Sequence, residues 1–143
     1  MVPGLCDYRL TGQAVENLYS TPYEVTTEAN RTGYRFAGQP LEFVDRVAPF
    51  GAGSDPSNVV NLGYPLGSIQ APGGTELICL LRDAVTGGGY ATVGTVISAD
   101  LDIIAQSKAP DEVMFLPVTI ELALAERSTR SRRLARIREL VSE

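Results

Sequence analysis

A mainly β domain, a sandwich or barrel with short helices and a C-terminal helix, is what this 143-residue sequence predicts. Three observations carry the expectation. Short runs rich in Val, Ile, Leu and Tyr recur between Gly/Pro turns, the rhythm of antiparallel strands. Before residue 120 only brief stretches have helical spacing. After it the text changes in kind, to an Arg-rich helix with an apolar stripe. The length suits one domain with a core rather than two independent ones.

Taken in order, "MVPGLCDYRL" breaks at Pro3-Gly4 and leads into "TGQAVENLYS", a helix with Thr11 as N-cap and Val15, Leu18 and Tyr19 on one face. "YEVTTEA" reads as a strand, and "NRTGYRFAG" as a turn followed by a strand with Tyr34 and Phe36 on one side. "GQPLEFVDRV" keeps period two at Leu41, Phe43 and Val47 and continues into a further strand. Ala48 to Tyr64, rich in Gly, Pro, Ser and Asn, reads as a long loop of the kind that is often functional. "TELICLLRD" and "YATVGTVISADL" are the strongest strands, with "TGGGY" between them as either a hairpin turn or a stretch of bare backbone against a ligand. "LDIIAQSK" is a short helix capped by Ser98 or Asp100, and "DEVMFLPVT" a closing strand. The helix from Ile120 carries Leu134, Ile137 and Val141 at helical spacing, with a break expected near Ser128-Thr129. The expected division is a β-barrel lobe over 1–122 and a basic C-terminal helix over 123–143.

Charge narrows the function classes. The net charge of −5 argues against a nucleic-acid binder. Residues 126–143 hold six Arg and three Glu (+3), leaving six basic and fourteen acidic side chains (−8) on residues 1–125. A basic tail on an acidic body reads as a solvated helix face or as a docking element, including one that joins two copies. With no His and only Cys6 and Cys79, neither a transition-metal site nor Ser-His-Asp or Cys-His catalysis is expected. Cys79 in "LICLL" reads as a small buried apolar residue. No signal peptide or long apolar span is read, so a soluble cytoplasmic protein without a membrane role is expected. The glycine-rich stretches lack the Lys-Ser/Thr and helix of a Walker-type site, so ATP binding by this chain is not expected.

Four ordered motifs add a resemblance. "STPYEVTTEANRTGYRFAGQPLE" resembles the stretch the allophanate hydrolase subunit 2 family writes as S-T-P-(aromatic)-x-V-S-x-x-S-N-R-M-G-Y-R-L-x-G. "GSIQAPGG", "LLRDAVTGGGYATVGTVISADLDIIAQ" and "DEVMFLPV" then resemble that family's G-x-I-Q-V-P, D-R-Q-T-T-G-G-Y with V-I-S-A-D-L, and K-V-R-F-x-P-V, in the same order. The resemblance spans about residues 3–122. It implies a cyclophilin-like β-barrel and a component of a biotin-dependent carboxyltransferase or urea amidolyase-type enzyme, or of a 5-oxoprolinase. It also implies a partner, an allophanate hydrolase subunit 1-like protein or domain that completes the cleft. Any biotin would be carried by a partner, with no cofactor held by this chain. Members are two-lobed and roughly twice this length, and the chain resembles their C-terminal lobe. Asp83, Thr86, Gly88, Gly89 and Tyr90 match the family motif, whereas Ala84, Val85 and Gly87 stand where it writes Arg, Gln and Thr.

The candidate site follows from these motifs. Asp83, at the end of an apolar strand, needs solvent, a hydrogen bond or a partner charge. Either it accepts N–H groups from the turn at Gly87–Gly89, or it is the catalytic carboxylate that orients an amide or takes a proton. Asn30 either holds a left-handed turn or aids a carbonyl, and Arg31 is either a surface charge or a carboxylate or phosphate clamp. Gln70, flanked by Ile69 and Ala71-Pro72, needs partners for both ends of its amide, from ligand or protein. By the resemblance, Asn30, Arg31, Gln70, Thr86, Gly88, Gly89 and Tyr90 line the substrate cleft with Asp83. The rival reading is a non-catalytic module that docks and regulates a subunit 1-like or Kip-type partner.

Overall fold

The computed structural model describes residues 1–142. Thr11 starts the first helix, α1 (Gly12–Ser20), its side-chain oxygen accepting the Ala14 N–H at 3.2 Å. This satisfies one of the helix's free donors. Spacing then turns Ala14 and Leu18 fully inward, with Val15 and Tyr19 packed beside them.

The core rests on one curled sheet. Seven strands run in the order β1-β8-β5-β6-β3-β2-β9, every neighbouring pair antiparallel. They are β1 (Val2–Pro3), β2 (Tyr23–Val25), β3 (Gly33–Ala37), β5 (Ser68–Gln70), β6 (Leu77–Leu80), β8 (Thr92–Thr95) and β9 (Glu112–Val113). The sheet bends into half of a barrel, a mainly β fold as the sequence predicts. Tyr23, Phe36, Ile69, Leu77 and Val93 lie on its inner face with at most 1% exposure. Each contributes about 1.5–3 kcal/mol by leaving water. Phe115, just past β9, closes the core by meeting Phe36 edge-on at 5.6 Å and Tyr23 at 5.8 Å.

Several expectations need correction. "LEFV" is extended but forms no strand beyond one bridge between Leu10 and Phe43. Leu41 and Phe43 are buried as their period requires, yet Val47 is 97% exposed. The backbone bonds of this stretch are split between two places: Leu41 N–H bonds Gly74, while Thr11 N–H to Glu42 and Val44 N–H to Arg9 bracket the Leu10–Phe43 bridge. The long loop also contains a strand, β4 (Asn58–Gly63), paired antiparallel with β7 (Gly87–Tyr90) in a second, two-stranded sheet. "TGGGY" is therefore not a hairpin turn: Gly87–Tyr90 is a glycine strand. Arg9, 5% exposed, donates to the Pro56 carbonyl with its guanidinium 5.9 Å from the Phe43 ring, and Arg46 donates to Asn58. Both fasten the remaining loop to the body.

At the C-terminal side α2 (Leu101–Gln106) starts at Asp100, which uses its carbonyl but not its carboxylate as the cap. The last helix, α3 (Ile120–Val141), is capped by Thr119 and runs unbroken through Ser128-Thr129. No described residue of α3 is buried, and Leu134, Ile137 and Val141 remain 36–77% exposed. No helix among the described residues is long and apolar enough to cross a membrane.

Candidate functional site

Two strands meet where the sequence places its carboxylate. Beyond the pairing of Gly33 with Leu80, the β3 and β6 backbones continue for two residues, with Leu81 N–H bonding Thr32 and Asp83 N–H bonding Arg31. That register sets Arg31 against Asp83. Arg31 Nε donates to Oδ2 at 2.7 Å and Nη2 to Oδ1 at 3.0 Å, a bidentate pair. The pair lies open to solvent, with side chains 80% and 50% exposed. An exposed ion pair adds little to stability.

Electrostatics follows from the contact. The Arg31 hydrogen bonds hold the Asp83 carboxyl below the usual carboxylate range, so it is ionised at neutral pH. It can then accept a hydrogen bond or a proton, but it is not an acid catalyst in this state. Each partner keeps unused capacity: a carboxylate has about four lone-pair sites and a guanidinium five N–H donors, against two bonds made. Asp83 takes no hydrogen bond from glycines 87–89 among the described residues.

Asn30 shapes the loop that presents Arg31. Its Oδ1 accepts the N–H groups of Thr32 at 2.8 Å and Gly33 at 3.4 Å. This is an Asx turn, and it needs no left-handed backbone: every described residue with positive φ is a glycine.

The other predicted residues gather around a tyrosine that the sequence does not single out. Tyr64, 6% exposed, donates its hydroxyl to the Tyr90 carbonyl at 2.9 Å and accepts the Tyr90 N–H at 2.7 Å. Burial pushes its hydroxyl pKa up, opposed by the bonding to Tyr90 and by the nearby Gln70 carboxamide. Gln70, 5% exposed on β5, lies close to this hydroxyl. Gly88 packs closely here: a Cβ would stand 3.0 Å from Tyr64 Cε2, so the ring would have to give way. Thr86 accepts the Tyr64 N–H through its carbonyl at 2.9 Å, and Gly89 lies beside the Val59 carbonyl. The available signal is an aromatic in a Gly/Asn/Pro-rich stretch, "NLGYP", where a loop tip would carry none.

Two groups therefore form, Arg31–Asp83 with Asn30 beneath, and Gln70, Gly88 and Tyr90 around Tyr64. No hydrogen bond joins them among the described residues. A cleft of ≈ 220 Å³ containing Tyr64, Arg82 and Thr86 adjoins one of ≈ 400 Å³ containing Arg31 and Arg82. An apolar groove of ≈ 370 Å³ against Phe115 and Leu122 contains none of the predicted residues. No group of three or more His, Cys, Asp or Glu among the described residues is arranged to hold a metal.

Comparison with known proteins shows the family of the chain. A 5-oxoprolinase subunit of Haemophilus influenzae is 31% identical over 121 residues, covering 85% of this chain and 36% of that protein. A putative urea carboxylase of Emericella nidulans is 30% identical over 119 residues, 83% of this chain and 9% of its own length. The solved urea amidolyase of K. lactis superimposes with a TM-score of 0.80 at 24% identity, covering 86% of this chain and 7% of that one. The chain thus spans about a third of the first relative and under a tenth of the urea enzymes. The family model for the carboxyltransferase domain, subdomain A and B, matches residues 1–117, nearly everything before α3. It agrees with the resemblance carried by the motifs, and the chain belongs to that carboxyltransferase-domain family.

Proposed function

We propose that the chain forms one wall of an amide-binding cleft whose other wall is an allophanate hydrolase subunit 1-like protein or domain. The reaction it serves moves a carboxyl group to an amide or opens an amide bond. The observation that supports this best is the bidentate Arg31–Asp83 pair, set where the turns at the adjoining ends of β3 and β6 meet, yet open to solvent. Such a pair offers an acceptor for an amide N–H and donors for a carbonyl on one surface. In this reading Asp83 takes the proton that leaves the amide nitrogen, and Arg31 and Asn30 orient the carbonyl. Gln70, Thr86, Gly88, Gly89 and Tyr90 shape the adjoining surface, with the glycine strand admitting a partner or substrate close to the backbone. Biotin, where the reaction uses it, arrives on a partner as the source of the carboxyl group.

The test is reconstitution. The chain is mixed with a subunit 1-like protein, with a carboxylated biotin carrier as carboxyl donor and ATP supplied, and turnover of urea and of 5-oxoproline is followed, for the wild type and for Asp83→Asn. Turnover in the mixture, lowered about 100-fold or more by Asp83→Asn in an intact complex, is the expected result. Wild-type turnover by Asp83→Asn would overturn the role of the carboxylate. A second reading, a regulatory module, draws on the small or apolar Ala84, Val85 and Gly87, of which Val85 is 67% exposed. It predicts a complex without turnover by the mixture and an altered activity of the partner.

A further inference from the structure

The cleft of ≈ 400 Å³ next to the Arg31–Asp83 pair has a chemistry of which the amide reading uses only Arg31. Three guanidiniums line it: Arg31 from the turn before β3, Arg82 after β6, and Arg130 from α3. Leu66, Leu81 and Leu101 supply an apolar part of the lining. Arg31 is held by Asp83 and Arg130 by Asp102, the one carboxylate among the described residues that lines the cleft. Arg82, by contrast, makes no ion pair or side-chain hydrogen bond among the described residues. Arg130 lies beyond residue 117, where the family match ends, so α3 adds a wall of its own to this cleft.

From this arrangement we infer that the cleft binds a small organic carboxylate with a short hydrocarbon body. Arg82 is its principal ligand, Arg31 and Arg130 flank it, and the leucines receive the hydrocarbon. A free guanidinium can take a carboxylate bidentately, and flanking cations add attraction without having to leave their own partners. An apolar wall beside such a group selects for a ligand with an apolar body over a bare ion. The inference rests on this chain's own geometry and holds whether or not a partner completes the amide site.

Titration of the purified chain tests it, reading the arginine side-chain N–H signals by NMR with acetate, butyrate and neutral butyramide as probes. Butyrate is expected to shift the Arg82 signal and to bind more tightly than acetate, with butyramide much weaker. Arg82→Gln is expected to weaken butyrate binding by about 10-fold or more. Asp102→Asn, which removes the lining carboxylate and releases Arg130, is expected to tighten it about 2- to 5-fold. Arg82 is exposed, so its loss leaves the fold intact, as the backbone spectrum of the variant will report. Equal binding of butyrate and butyramide, or unchanged butyrate affinity in Arg82→Gln, would overturn the inference.

Discussion

Tyr64→Phe isolates the contact on which the glycine strand depends. The hydroxyl makes two hydrogen bonds to one residue, 2.9 Å to the Tyr90 carbonyl and 2.7 Å from its N–H. The phenyl ring of the variant fills the same space, so the change removes the bonds and little packing. Each neutral hydrogen bond contributes about 0.5–1.5 kcal/mol net, so the loss expected is about 1–3 kcal/mol. The upper half applies if water cannot replace the hydroxyl at this site, where Tyr64 is 6% exposed. Urea unfolding measures the loss, and hydrogen exchange locates it. Amides of Gly88–Tyr90 should exchange faster while those of β6 keep their protection. Gly88→Ala should act in the same direction, because its Cβ at 3.0 Å from the ring pushes the tyrosine off its partner. A Tyr64→Phe protein of unchanged stability, with unchanged exchange at Gly88–Tyr90, would refute the idea that this hydroxyl holds β7 in place.

Two further expectations concern the body of the fold. Gly74→Ala should cost about 2–4 kcal/mol by urea unfolding, since φ is +71° and a Cβ would stand 2.0 Å from the Leu41 carbonyl oxygen. Both cysteines are buried, and burial pushes the Cys79 thiol up to about 12, so neither should react with a thiol reagent at pH 8 until denaturant is added. The same shift has a pH consequence. Cys79 holds its proton more tightly folded than unfolded, so its contribution is complete below about pH 9 and declines as pH rises towards 12. Thermal unfolding of wild type and Cys79→Ala across that range should show a smaller alkaline loss in the variant.

How much of the fold is legible in the sequence depends on where each element gets its identity. β6 and β8 are legible because Leu77, Cys79 and Val93 there face a core on the sheet. α1 is legible because its cap and its inward spacing are both local. β7 is not, because glycines carry no periodicity; its strand character comes from pairing with β4 and from the distant Tyr64. Leu41 and Phe43 mislead in the opposite way, being periodic and buried while the backbone bonds around them are split between Gly74 and the short segment Arg9–Thr11. The break expected in α3 does not occur: Ser131 returns its hydroxyl to the Arg127 carbonyl, and Ala, Arg and Leu on either side favour the helix. At the candidate site, Asp83 and Arg31 are each visible, but their contact joins residues 52 positions apart and needs the strand register.

If the surface around Arg31, Asp83 and β7 is shared with a partner, binding must bury it. Hydrogen exchange on the chain alone and in a mixture with a subunit 1-like protein reads that burial residue by residue. Slower exchange at residues 30–34 and 82–90 in the mixture is expected, with Asp83→Asn keeping the footprint while losing turnover. Protection confined to α3 and the apolar groove at Phe115, with residues 82–90 unchanged, would contradict a shared cleft.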